Sequence, residues 1–137
     1  PYVDQKRICA YGNSMGAFLT VALAADALED IAAAAISAGG VRPGKITVQG
    51  AAASPTFQTA ESIRCPFIIF HGTADGTVRP EMSAALKAIL AKNNVPNERV
   101  LFEGVGHNAH ADKADEFYSQ MRDFFIQHGI LKAEAKS

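Results

Sequence analysis

Residues 7–25, RICAYGNSMGAFLTVALAA, change character halfway. Arg7 to Tyr11 has the β-branched and aromatic content of a short strand, and Met15 to Leu28 has the apolar density of a helix. Between them Gly12-Asn13-Ser14-Met15-Gly16 fits the pattern G-x-S-x-G, in the strand-to-helix context that gives this pattern meaning. So sharp a turn holds its central residue in a strained backbone conformation. Glycines two before and two after remove the side chains that would collide across it. Ser14 is thereby thrust outward. Met15 opens the helix, so its backbone N–H has no intrahelical partner. It points, with the positive end of the helix dipole, at any oxyanion formed at Ser14. A plainer alternative is that Ser14 caps the helix, a position that favours serine.

Working outward, the helix from Met15 to Leu28 is apolar nearly all round, the pattern of a helix buried inside a domain. Ile31 to Ser37 lacks apolar/polar alternation and suits a strand covered on both faces, although its alanines are weak strand formers. Gly39 to Arg64 opens with Gly39-Gly40 and Pro43-Gly44 and is long for a structureless connection, so a short helix or a substrate-side excursion is expected there. Cys65 to Phe70 (CPFIIF) is the strongest strand. Pro80 then starts a helix whose stripe is Met82, Ala85, Leu86, Ile89 and Leu90. Arg99 to Phe102 is a fourth strand, and Ala114 to His128 is an amphipathic helix closed by Gly129. Strands alternating with helices at this spacing imply one α/β domain over residues 1–137, a parallel sheet of about four strands with helices on both faces.

Composition excludes several functions. Thirteen Lys and Arg against fourteen Asp and Glu give a net charge of -1 without a basic stripe, which argues against nucleic acid as a partner. The longest apolar stretch, Ala17 to Ala25, is too short to span a membrane, and no signal peptide opens the sequence, so a cytoplasmic location is expected. Cys9 and Cys65 lie far apart inside apolar runs, which reads as two buried, reduced thiols.

Two more residues join Ser14. Asp75 lies in the loop directly after CPFIIF, and His107 in the loop after the strand ending near Phe102. All three sit just past carboxyl ends of expected strands, where open α/β sheets place their sites. Each has a plain alternative. Asp75 before Gly76 is good turn chemistry, and His107 after Gly106 could be an ordinary loop residue. His71 is expected to shape the acid loop or pack at a strand end, and His110 is the rival to His107. A metal site from His71, Asp75, His107 and His110 is conceivable, yet neither H-E-x-x-H nor a Cys/His zinc spacing occurs. Asp112 and Asp115 fall near the start of the last helix, where acidic residues serve dipole and capping needs.

YGNSMG, IIFHGTADGTV and FEGVGHNAH, in the order Ser, Asp, His, resemble the nucleophile, acid and histidine blocks of the α/β-hydrolase superfamily. The resemblance is closest to its dienelactone-hydrolase-like and prolyl-oligopeptidase-like serine hydrolases, and it covers nearly the whole chain. It implies Ser14 as nucleophile, His107 as general base then acid, Asp75 as the carboxylate orienting His107, and Met15 as an oxyanion donor. The chemistry agrees with those roles. A serine hydroxyl needs an imidazole to accept its proton, and that imidazole needs a carboxylate to fix its tautomer. The implied activity is a serine hydrolase of short-chain carboxylic esters, a small-molecule substrate class, acting through an acyl-enzyme with no cofactor and no metal. A peptidase of prolyl-oligopeptidase type and a non-catalytic remnant that binds or dimerises are the alternatives. Members of the superfamily have further strands before the nucleophile strand, so the resemblance implies a truncated fold, its C-terminal half. The open strand edge is then expected to be covered in a homodimer or by an N-terminal partner piece. With the family's strand order, a strand also separates Cys9 from Cys65, too far for a disulfide.

Overall fold

The computed structural model describes residues 3–43 and 55–133. Its elements run β1 (Cys9–Asn13), α1 (Met15–Asp26), β2 (Ala33–Ser37), α2 (Phe57–Ala60), β3 (Phe67–Gly72), α3 (Pro80–Lys92), β4 (Asn97–Phe102), α4 (Ala109–Asp112) and α5 (Ala114–Gln127). The strands form one parallel sheet in the order β1-β2-β3-β4, a truncated α/β-hydrolase-like fold. Crossovers between neighbouring parallel strands share one hand, so a sheet in straight sequence order collects its connecting helices on one face. Residues of α1, α2 and α3 accordingly pack in one core with Ala34, Ile36, Phe67 and Ile69. The opposite core joins Ala33, Ala35, Ile68 and Phe70 to Phe117, Phe124 and Phe125 of α5.

Successive side chains of β2 and β3 point to opposite faces, which divides them between the two cores, and pairing sets the strand ends. The β3 strand is displaced by two residues from the expected CPFIIF. Pro66 has no N–H to give the ladder, whereas His71 and Gly72 pair with Leu101 and Phe102 of β4. The alanine-rich β2 is a strand after all, with every residue buried. Hydrogen bonding on both edges overrides alanine's weak strand preference, and its small side chains let helices close on either face.

Two expectations fail at β1, and for one reason. Cys9 is exposed and only Cys65 is partly covered, so the pair are not two buried thiols. Likewise α1 is not enclosed all round, since Leu19 and Leu23 are 46% and 45% exposed. Among the described residues β1 is an edge strand, and nothing beyond it covers its outer side. A groove of about 530 Å³ remains there, lined by Ile8, Cys9, Tyr11, Gly16, Leu19 and Leu23. Of the short helix or substrate-side excursion expected between Gly39 and Arg64, the short helix is present as α2, capped by Thr56. Its central part, residues 44–54, lies outside the described residues. No described helix is long and apolar enough to cross a membrane.

The strand exits are held together by backbone contact at Gly72. A Cβ there would lie 2.2 Å from the Val105 carbonyl oxygen and 2.4 Å from that of Gly106. These are backbone atoms of the loop carrying His107, which can yield only if that loop moves. Gly72→Ala should therefore destabilise the fold by about 1–3 kcal/mol, whereas Gly76→Ala, with open space around its Cβ, should change little. Urea unfolding midpoints of the two variants check this; equal midpoints would contradict the crowding argument.

Candidate active site

The turn between β1 and α1 places Ser14 in a backbone conformation that L-residues rarely adopt, with φ 57° and ψ -117°. Such a residue carries roughly 1–3 kcal/mol of strain and persists only where its surroundings hold it. Its N–H donates to the Ser37 carbonyl at the end of β2 (2.9 Å), and its own carbonyl accepts from Ala17 N–H (3.0 Å) in the first turn of α1. Gly12 makes the close return possible, because a Cβ there would meet the Gly16 carbonyl oxygen at 2.0 Å. Gly16 does not have the matching role: a Cβ there would meet nothing within 4 Å, since this residue borders the open groove beside β1.

The Ser14 hydroxyl does not cap α1. It lies 2.9 Å from His107 Nε2. On the other side of the ring, His107 Nδ1 lies 2.9 Å from Asp75 Oδ2. A carboxylate only accepts, so the His107 proton sits on Nδ1 and Nε2 is left to accept from Ser14. The three residues named from the sequence thus form one directed chain, Ser14 O–H to His107 to Asp75. His107 is partly exposed with 24% of its side chain accessible, and the Asp75 side chain has no exposure.

The two oxygens of Asp75 have different partners. Oδ1 accepts the backbone N–H groups of Thr77 and Val78, both at 2.9 Å, which makes the turn. Oδ2 is left for His107. Burial works against this charge, but the Val78 N–H, the His107 ring and the Thr77 N–H outweigh it and hold the carboxyl below the ordinary carboxylate range. The acid loop is in turn stitched to the histidine loop. Thr73 N–H donates to the Phe102 carbonyl (3.1 Å), Ala74 N–H to that of Val105 (2.9 Å), and Gly104 N–H to Thr73 Oγ1 (2.8 Å).

Met15 heads α1 directly after Ser14, so its backbone N–H has no intrahelical acceptor. His71 sits at the end of β3, wholly buried, with Nε2 2.8 Å from the Val78 carbonyl oxygen and Nδ1 2.8 Å from Ser83 Oγ. Nothing in the sequence reading named Ser83. The available signal was its place on the α3 stripe, three residues before Leu86 and seven before Leu90, where a polar side chain on a buried face requires a partner. The remaining candidates stand apart. His110 is partly buried in α4 with an unpartnered Nδ1, and Asp112 and Asp115 are exposed. Both nitrogens of His71 and of His107 are engaged, and no described group of three or more His, Cys, Asp or Glu has metal-holding geometry. Burial pushes the Cys65 thiol up to about 11, which keeps it protonated at neutral pH.

Comparison with solved structures places this arrangement among known folds. Acylaminoacyl peptidase of Pyrococcus horikoshii superposes with a TM-score of 0.80 at 15% identity, covering 98% of this chain and 26% of its own. Dipeptidyl peptidase 4 of Porphyromonas gingivalis gives 0.79 at 20% identity, covering 93% and 20%. Esterase 2 of Thermogutta terrifontis, in a structure phosphorylated by paraoxon, gives 0.77 at 23% identity, covering 96% and 58%. The chain therefore spans about a quarter or less of the two peptidases and somewhat over half of the esterase. No curated protein matches it in sequence. The model of the Dienelactone hydrolase family matches residues 1–127, a span that takes in the serine turn, the acid loop and the histidine loop, and on that match the chain belongs to the dienelactone hydrolase family.

Proposed function

We propose that the protein is a serine hydrolase that cleaves short-chain carboxylic esters through an acyl-enzyme. The observation that carries the reading is the unbroken chain from Ser14 Oγ to His107 (2.9 Å) to Asp75 (2.9 Å), ending on a serine in a strained turn. Family membership supports hydrolysis, and the esterase neighbour supports the fold on which it would occur. In the first half-reaction Ser14 Oγ attacks the ester carbonyl carbon while its proton passes to His107 Nε2. Charge builds on the carbonyl oxygen, facing the Met15 N–H at the positive end of α1. Asp75 stabilises the imidazolium without taking its proton. Collapse breaks the carbon–oxygen bond to the alcohol, which leaves with the proton from His107. Water then attacks the acyl-Ser14 ester with His107 as base, the acid departs, and the hydroxyl is regenerated.

The deciding experiment is labelling by a fluorophosphonate probe. We expect one adduct, located at Ser14 by peptide mass spectrometry and lost in Ser14→Ala. A folded, monodisperse sample that never labels would overturn the hydrolase reading in favour of a non-catalytic binding role.

The assignment of the acid makes a second test. Asp75→Asn should lower turnover by about 10⁴, the loss seen when a serine-protease triad acid is amidated and the imidazole takes the wrong tautomer. Asp112→Asn, on an exposed residue at the end of α4, should leave turnover close to wild type. Steady-state kinetics of the two variants check the ranking, and its reversal would move the acid role to Asp112.

Substrate size follows from the composition of the stretch between Gly39 and Arg64. The only aromatic residue between Gly39 and Arg64 is Phe57, itself 39% exposed, so little apolar surface is offered to a long acyl chain. Among p-nitrophenyl esters we expect kcat/KM to be highest for acetate or butyrate. A maximum at long acyl chains would contradict this.

A further inference from the structure

Beneath the acid loop lies a second polar chain, buried and outside the catalytic sequence just described. His71 occurs on β3 two residues after Ile69 and four after Phe67, so its side chain shares their face, toward α3, with 0% exposure. Its Nε2 is 2.8 Å from the Val78 carbonyl oxygen, which can only accept, so the ring proton sits on Nε2. The same nitrogen lies 3.3 Å from Asp75 Oδ2, the oxygen that His107 uses. On the far side, Nδ1 is 2.8 Å from Ser83 Oγ, which is itself wholly buried. Arg99 on β4 closes the chain, with Nε 3.0 Å from Ser83 Oγ and Nη2 2.8 Å from the Pro80 carbonyl oxygen.

The protons of this chain can be counted. Ser83 has one hydroxyl hydrogen and two acceptors within reach, His71 Nδ1 at 2.8 Å and the Pro80 carbonyl at 2.9 Å. Pro80's carbonyl is already supplied by Arg99, so the hydroxyl is free to donate to a neutral His71. Burial favours that neutral ring and lowers its pKa from the ordinary histidine value, and the Arg99 charge acts in the same direction. Around the ring stand Asp75, which opposes this, and Arg99, with Glu81 beside Arg99. Val78 is consequently gripped at both ends: its N–H donates to Asp75 Oδ1, and its carbonyl accepts from His71.

We propose that His71 is a positioning residue: by holding the Val78 carbonyl and lying against Asp75 Oδ2, it fixes the carboxylate in the orientation that His107 requires, while Ser83 and Arg99 fix His71. This rests on the reading of Ser14, His107 and Asp75 as the hydrolytic triad. Without the His71 proton, the Val78 carbonyl loses its partner in a residue only 8% exposed, and Asp75 keeps its backbone donors on Oδ1 but loses its lateral support on Oδ2. A carboxylate with less support also draws harder on the His107 imidazolium.

Three variants test this: His71→Leu, which removes both nitrogens; His71→Gln, whose amide N–H can reach the place of Nε2; and Ser83→Ala, which removes only the hydroxyl. Each is measured for kcat and KM on a short-chain p-nitrophenyl ester, for the pH dependence of kcat/KM, and for the downfield proton resonance of His107 Nδ1–H. In His71→Leu we expect kcat to fall on the order of tenfold with KM little changed, well short of losing the acid itself. The acid limb of the profile should move to higher pH, and the downfield resonance should shift. His71→Gln should restore all three toward wild type, and Ser83→Ala should fall between. Leu and Gln variants that behave alike, or a Leu variant with the wild-type profile and resonance, would overturn the proposal. Should His71→Leu fail to fold, wild-type kcat, profile and resonance in Ser83→Ala would overturn it equally. The resonance separates the two readings. If it moves in Leu and returns in Gln while Ser14 never labels, positioning stands and the hydrolase reading falls; if Ser14 labels and the resonance is unmoved, positioning falls alone.

Discussion

A carboxylate with no solvent exposure is the constraint around which this fold is organised. Removing the charge of Asp75 from water costs several kcal/mol unless donors surround it, and the structure supplies them from separate parts of the chain. Two come from the backbone of its own loop, at Thr77 and Val78, and one from His107, 32 residues further on. The last of these is possible only because β3 and β4 leave the sheet side by side, with Gly72 paired to Phe102. Gly72 then lets the two exit loops touch through backbone atoms. Satisfying one buried charge thus requires the parallel pairing, the glycine at the strand end and the turn at Val78 together.

The serine turn answers a different demand, strain rather than desolvation. Ser14 is held at positive φ by a bond to the Ser37 carbonyl and by the first turn of α1, and Gly12 supplies the space in which α1 folds back over β1. Strain of this kind has to be offset by packing elsewhere. The offset is visible in the core beneath, where Ala17, Val21 and Ala24 of α1 meet Ala34 and Ile36 of β2. The serine turn and the acid loop are therefore braced from the same side of the sheet, by α1 and α3. His107 and α5 approach from the other side, where the Phe70 and Phe117 rings meet at a tilt of 43° with centroids 4.3 Å apart. The site lies where the two cores meet at the carboxyl ends of the strands.

The β1 edge has a character of its own. Its strand is paired on one side only among the described residues, and the groove beside it leaves Cys9, Leu19 and Leu23 accessible. Gly16 faces this groove, so the second glycine of the G-x-S-x-G pattern has no crowding atom to avoid. The solved relatives are longer than this chain, the esterase by enough that the chain covers 58% of it.

Much of the architecture was legible in the sequence because it depends on local periodicity. Alternating strands and helices announced the parallel sheet, and G-x-S-x-G between a strand and a helix, followed by Asp75 and His107 just past later strands, announced the three residues that the fold brings together. Chain order sufficed there, since parallel strands in a straight sheet put all their carboxyl ends on one side. What depended on pairing was not legible. The β3 strand extends through His71 because β4 supplies hydrogen-bond partners for it, and the alanines of β2 form a strand because both edges are paired. Exposure of Cys9 and Leu19 could not be read from their apolar neighbours, because burial depends on which elements lie beyond β1 and not on the residues beside them in sequence. The partners that Ser83, Arg99 and the Val78 carbonyl find could not be read for the same reason, although the place of Ser83 on the α3 stripe called for one. A hydrogen bond between β3, α3 and β4 has no sequence period, and only the packing of these elements brings a hydroxyl and a carbonyl to the two nitrogens of one buried ring and a guanidinium to that hydroxyl.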